Sequence, residues 1–183
     1  MARQRRFSPD ELTGERRRLY QAITSGPRSR GRQSFALTDA DGALRGPLNG
    51  FLLAPRLGHA LQELGAAVRY ATALSARERE IAILVVAASW DSAFEQEAHE
   101  SVGRAAGLTG TDLADLREGR RPPLDDARES ACLTLTRALV DGDVDDATWA
   151  ACVPPLDQET VFELTTLVGY YATLALQMRA FRV

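Results

Sequence analysis

Between Glu80 and Glu100 the chain reads EIAILVVAASWDSAFEQEAHE, and no other stretch limits the fold so strongly. Ile81 to Ala88 is apolar at every position. A helix over it is apolar on most sides, so other elements have to enclose it. Ser75-Ala76-Arg77-Glu78 reads as a capping box that opens this helix. Trp90-Asp91 breaks it, and a second, acidic helix follows, ended by Gly107. The result is a helical hairpin whose first arm is core.

The second arm carries the candidate chemistry. Ser92, Glu95 and His99 are spaced three and four apart, so they share one helix stripe with Val102 and Ala106. Phe94, Ala98, Ser101 and Ala105 form the adjoining stripe. Both stripes end in small or apolar residues, which turns Glu95 and His99 inward beside Phe94. Glu97, Glu100 and Arg104 are left for the wet side. A partly buried glutamate has a raised pKa, and a neighbouring carboxylate favours the charged imidazolium. Such a pair can exchange protons near neutral pH, as general acid–base catalysis requires. Glu80, one helix earlier, can supply a second carboxylate from across the hairpin. The plainer alternative is an exposed acidic face with an i,i+4 pair worth a few tenths of a kcal/mol. Glu80, Glu95 and His99 are also conceivable metal ligands. One histidine, with no HExxH spacing, speaks against a metal site. A glycine-rich phosphate loop and a GxSxG elbow are both absent.

Composition removes further classes. The 22 basic residues are all arginine, so no lysine can form a Schiff base, and a substrate carboxylate must be met by arginine. The net charge of -3 gives no reason to expect a polyanionic partner. Residues 1–33 hold nine arginines against Asp10, Glu11 and Glu15, about +6, leaving about -9 for the remainder. That basic start lacks the aromatic interleaving of a nucleic-acid surface. Cys132 and Cys152 have no CxxC spacing and read as reduced core thiols, as expected in the cytoplasm. No apolar signal-peptide core is present. Ser8-Pro9-Asp10-Glu11 reads as a helix start rather than as part of a transit peptide.

Along the chain, the pattern predicts a helix from about Pro9 to Thr24, a flexible connection over Arg28 to Gly31, and a turn at Asp41-Gly42. A short apolar segment runs from Gly46 to Leu53. A helix from Pro55 to Tyr70 should turn Leu57, Leu61, Leu64 and Val68 inward, with His59 on the surface. Thr109 to Asp112 caps a short helix, residues 120–123 link it to a helix over Asp125–Val140, and Asp143 caps another that Pro154-Pro155 ends. The last helix, Asp157 to Phe181, is apolar almost all round. Glu163 lies within it and no lipid-interface pattern flanks it, so burial against another subunit is expected rather than a membrane span. The chain reads as all-α, with no strand. Residues 1–183 form a single domain, in which 1–44 are an N-terminal helical extension and connecting segment.

Several of these motifs occur together in one known family. The run Gly46 to Ala54, LxxLGAAVRY at 61–70, RERE-IAILVVAASW at 77–90, SAFEQEAHE at 92–100, Gly107-Leu108 and FELTTLVGYYATLALQMRAF at 162–181 resemble the carboxymuconolactone decarboxylase family. That family belongs to the AhpD-like superfamily. The resemblance implies an AhpD-like helical bundle built round a core hairpin and assembled as a homo-oligomer, a trimer or a hexamer. In the peroxidase branch, a glutamate, a CxxC and a histidine form the core motif, and they fall here on Glu80, on Ser92 and Glu95, and on His99. Both cysteines are missing, so thiol peroxidase chemistry is not expected. The decarboxylase branch reads E-W-x-x-H, which Glu95 and His99 match while Gln96 replaces the tryptophan.

The function implied is a cofactor-independent carboxy-lyase acting on a small cyclic or aromatic-derived acid or lactone. His99 would donate the proton, Glu95 would tune it, and Glu80 would be a second or orienting carboxylate. Ser92 would hydrogen-bond substrate, with Trp90, Phe94, Asn49, Phe51 and Tyr170 as pocket walls. Two alternatives remain: a non-catalytic oligomeric binding or scaffold protein, and a related isomerase or cyclase of a biosynthetic pathway.

Overall fold

The computed structural model describes residues 3–26 and 35–183; the expected connection over 28–31 lies outside them. Among the described residues it is all-helical, with a single isolated antiparallel bridge between Thr38 and Leu44. The helices are α1 (Gly14–Ser25), α2 (Pro47–Phe51), α3 (Pro55–Tyr70), α4 (Ala76–Ser89), α5 (Ala93–Ala105), α6 (Gly110–Arg117), α7 (Ala127–Asp141) and α8 (Asp146–Phe181). They divide into two compact units, one holding the residues up to Tyr70 with Leu176–Val183, the other Ala71–Ala175. The boundary between these units falls after α3.

In the first unit the expected opening helix is split. Pro9–Glu11 is a short 3-10 turn, Leu12 is extended, and α1 starts only at Gly14, whose φ is +54°. The α3 stripe is also rotated from the expected one. Leu57 and Leu64 are exposed, while Gly58, Gln62, Gly65 and Val68 are buried. The reason is close approach. A Cβ at Gly58 would lie 2.4 Å from the Phe51 carbonyl oxygen and 2.7 Å from Leu19 Cδ2, so backbone and side chains from α2 and α1 occupy that space. The glycines, not the leucines, face inward.

In the second unit α4 packs against α5, α6 and α7. Every residue from Glu80 to Ala87 is buried, as the apolar run requires. Ile81, Leu84 and Val85 form a core cluster with Leu108, Leu113, Leu116 and Leu133. Local chemistry sets the helix ends. Ser75 Oγ accepts from the Glu78 N–H while Glu78 returns a bond to Ser75 N–H, and Thr109 and Asp112 do the same for α6. Gly107 (φ +95°) closes α5 as expected. Asp145, not Asp143, caps the start of α8, accepting from Thr148 N–H at 2.7 Å. Helix α8 then runs through Pro154 and Pro155 and kinks at Asp157 (φ 62°), whose carboxylate caps the second half through Thr160 N–H. No helix among the described residues is long and apolar enough to cross a membrane.

Candidate active site

The turn between α4 and α5 sets the site. Asp91 takes a left-handed conformation (φ 50°), and Ser92 N–H bonds back to Ala87 O, so the chain reverses within three residues. This brings α5 antiparallel to α4 and stacks His99 against Glu80. His99 Nδ1 lies 2.6 Å from Glu80 Oε2, with the Glu80 side chain 1% and the His99 side chain 10% exposed. If Glu80 is ionised it can only accept, so Nδ1 would carry the proton that faces it. The Tyr171 ring meets the imidazole edge-on at 5.1 Å, and Tyr170 packs edge-on against Tyr171 at 5.3 Å. Arg79 Nε lies 3.9 Å from Glu80 Oε1. Arg79 and Tyr171 are the participants that the sequence reading passed over, although each adjoins a residue it had chosen.

Glu95 sits in a different environment. It is 2% exposed, and neither carboxyl oxygen has a hydrogen-bond partner. Burial pushes its pKa up to about 8, against a smaller lowering by nearby Ser92. The lowering does not amount to a made bond, because Ser92 Oγ is itself buried and without a hydrogen-bond partner. At the first turn of α5 the helix dipole favours the ionised form by about 0.3–1 kcal/mol, too little to offset this desolvation. Glu95 is therefore largely a neutral carboxylic acid at pH 7, and the hydrogen-bond partner of His99 is Glu80 instead.

The other buried acids among the described residues, Glu78, Glu100 and Asp112, all have partners. Glu100 departs from its expected place on the wet side. It is 6% exposed and accepts from Arg117 Nε at 2.9 Å and Gln96 Nε2 at 2.8 Å. Burial alone would raise its pKa, but these bonds hold it below the ordinary value. The reason is α6, which brings Arg117 over the α5 face that helix periodicity alone leaves open.

Trp90 and Phe94 are half-buried at and just after the turn, and Tyr170 is buried. Asn49 and Phe51 belong to the other unit. There the Asn49 side chain accepts from Phe7 N–H at 3.1 Å and donates to Arg5 O at 2.7 Å, tying down the N-terminal segment. Phe51 is buried against α3. Both cysteines are free and buried. Burial pushes the Cys132 thiol up to about 12 and raises Cys152, so neither is poised as a thiolate. No group of three or more potential metal ligands comes together among the described residues.

No curated protein matches the chain. Among solved structures, a protein of unknown function from Agrobacterium tumefaciens, with a suggested antioxidant-defence assignment as AhpD, is similar in fold. The two share 19% identity and a TM-score of 0.66, over 75% of this chain and 96% of that one. The model of the carboxymuconolactone decarboxylase family matches residues 55–138, which contain α3 to α6, most of α7 and the whole Glu80–His99 hairpin. The chain is thus similar to the carboxymuconolactone decarboxylase family over this segment, and its all-helical fold is AhpD-like.

Proposed function

We propose that the protein is a cofactor-independent enzyme using general acid–base chemistry on a small cyclic or aromatic-derived acid or lactone, with loss of carbon dioxide. The observation that carries this reading is the buried 2.6 Å contact between His99 and Glu80. A histidine held by a carboxylate inside a helical hairpin has a defined tautomer and orientation, which a proton-transfer group needs.

Decarboxylation breaks the bond to the carboxylate carbon and leaves its electron pair on the substrate as an enolate. Protonated His99 would deliver a proton to the substrate carbon that had carried the carboxylate, Glu80 would compensate the charge on the ring, and solvent would restore the proton. Arg79, 3.9 Å from Glu80 through Nε, is the arginine we would assign to a substrate carboxylate. Thiol peroxidase chemistry is disfavoured by Ser92 and Glu95 in the motif positions and by the raised thiols of Cys132 and Cys152. The antioxidant assignment suggested for the Agrobacterium protein is therefore not carried over.

In this reading the protein works as a homo-oligomer. The exposed face of α8 supports that, with Phe162 73% exposed one turn before Thr166 and two before Gly169. The test is a panel of lactones and β-keto acids assayed for carbon dioxide release. Turnover that His99→Ala abolishes upholds the reading. Isomerised or cyclised product without carbon dioxide points to a related isomerase, and no turnover on any substrate to a binding protein.

A further inference from the structure

The turn that opens α5 departs from the pattern seen at the starts of α4 and α6. Ser75 with Glu78 and Thr109 with Asp112 close reciprocal capping boxes. Ser92-Ala93-Phe94-Glu95 has the same Ser/Thr-x-x-acid pattern, with Ser92 at the N-cap and Glu95 three residues on. Neither half of this box is made. Ser92 Oγ and both Glu95 carboxyl oxygens are buried instead, and none has a hydrogen-bond partner.

This arrangement costs stability twice. The N-cap bond is missing, and buried polar groups are left unbonded. Buried orphans of this kind call for an explanation, and a local rule broken beside a catalytic pair is a sign of function.

We infer that the Ser92 hydroxyl and the carboxylic acid of Glu95 form a pair of hydrogen-bond donors for an anionic oxygen of the ligand. The inference rests on the acid–base reading, in which the anionic oxygen is that of the enolate left when carbon dioxide departs. Glu95 at the first turn of a helix would ordinarily be ionised and would repel such an oxygen. Burial keeps it protonated at neutral pH, so it presents an O–H. The donor pair stabilises charge where it develops, while His99 delivers the proton to carbon, so the two glutamates of the hairpin divide the work. The ligand class follows: substrates whose breakdown places negative charge on a carbonyl oxygen, such as β-keto acids and unsaturated lactones, and not amines or other cations.

The test is binding of 4-nitrophenolate, a stable oxyanion, followed by its visible absorbance at neutral pH. Wild type should bind it saturably. Glu95→Gln keeps an N–H donor of similar shape and should bind within about threefold of wild type, whereas Glu95→Ala and Ser92→Ala should each lose about tenfold to hundredfold. Should Glu95→Ala fail to fold, Glu95→Leu fills the space and serves in its place. No saturable binding to wild type, or wild-type affinity in the variants without a donor, overturns the inference. The probe accepts no proton at carbon, so failure here removes the donor pair alone. The acid–base reading stands or falls on the turnover of His99→Ala.

Discussion

Glu80 and His99 are nineteen positions apart in sequence, and their side chains meet at 2.6 Å inside the hairpin. The histidine's carboxylate partner thus comes from the preceding helix, and not from Glu95 one turn away on its own helix. This choice leaves Glu95 protonated and unbonded, and it separates the roles of the two acids.

Replacing Glu80 with alanine leaves Nδ1 of His99 buried without its acceptor. The expected cost is about 1–3 kcal/mol in urea unfolding. Glu80→Gln keeps an acceptor oxygen and should cost less. If His99 transfers the proton, His99→Ala lowers turnover by about 10²–10⁴-fold while circular dichroism stays native. Retention of most turnover in His99→Ala would remove it from the mechanism.

Glu95 makes stability depend on pH in a defined direction. Its folded pKa of about 8 lies above the ordinary 4.5, so between those values the native state holds a proton that the unfolded chain has lost. Stability present below pH 4.5 is therefore lost progressively as pH rises towards 8, by roughly 3–5 kcal/mol in total. Glu95→Gln should flatten this dependence and raise Tm at pH 8 relative to wild type. The same slope in both proteins would mean that Glu95 is ionised in the fold.

Glu78 is 3% exposed, and Arg128 Nε donates to its Oε1 at 3.0 Å while Arg128 Nη1 reaches the Pro155 carbonyl, also at 3.0 Å. One arginine thus serves the cap of α4 and the kinked part of α8. Arg128→Ala strands a buried carboxylate and a carbonyl together, and should destabilise by about 3 kcal/mol or more. Arg128→Lys should recover only part, since an ammonium lacks the fork that reaches both acceptors. Thermal melts of the three proteins decide this.

Gly58→Ala places a methyl 2.4 Å from a backbone oxygen that cannot swing away. Gly→Ala inside a helix normally gains up to about 1 kcal/mol. Here the forced displacement of Phe51 and Leu19 should reverse the sign and cost about 1–3 kcal/mol. A variant as stable as wild type would show that α3 can slide outward.

Phe162→Asp tests the α8 face. A side chain 73% exposed in one chain gains nothing from being aromatic in water. Light scattering should give a smaller particle for the variant than for wild type. Equal masses would take this face out of any assembly.

The sequence by itself determined the parts that depend on neighbours within one turn. The Ser75–Glu78 and Thr109–Asp112 boxes, the glycine that ends α5, the reversal at Trp90-Asp91 and the burial of Ile81 to Ala87 all follow from spacings of a few residues. The shared stripe of Ser92, Glu95 and His99 follows for the same reason, while Glu80 is offered only from across the hairpin and through the family resemblance. The surroundings of most groups do not follow from spacing. Helix periodicity places Glu100 beside water, but α6 covers it with Arg117, and periodicity turns the α3 leucines inward, but close approach at Gly58 claims that side for glycine. At Ser92 and Glu95 the two levels conflict outright. Their spacing is that of a capping box, yet the Ser92 N–H bonds to Ala87 O in the turn, and both side chains are buried with the box unmade. Local patterns list which bonds are possible. Only tertiary contact, which sets the burial of each group and the partner within its reach, decides which of them form.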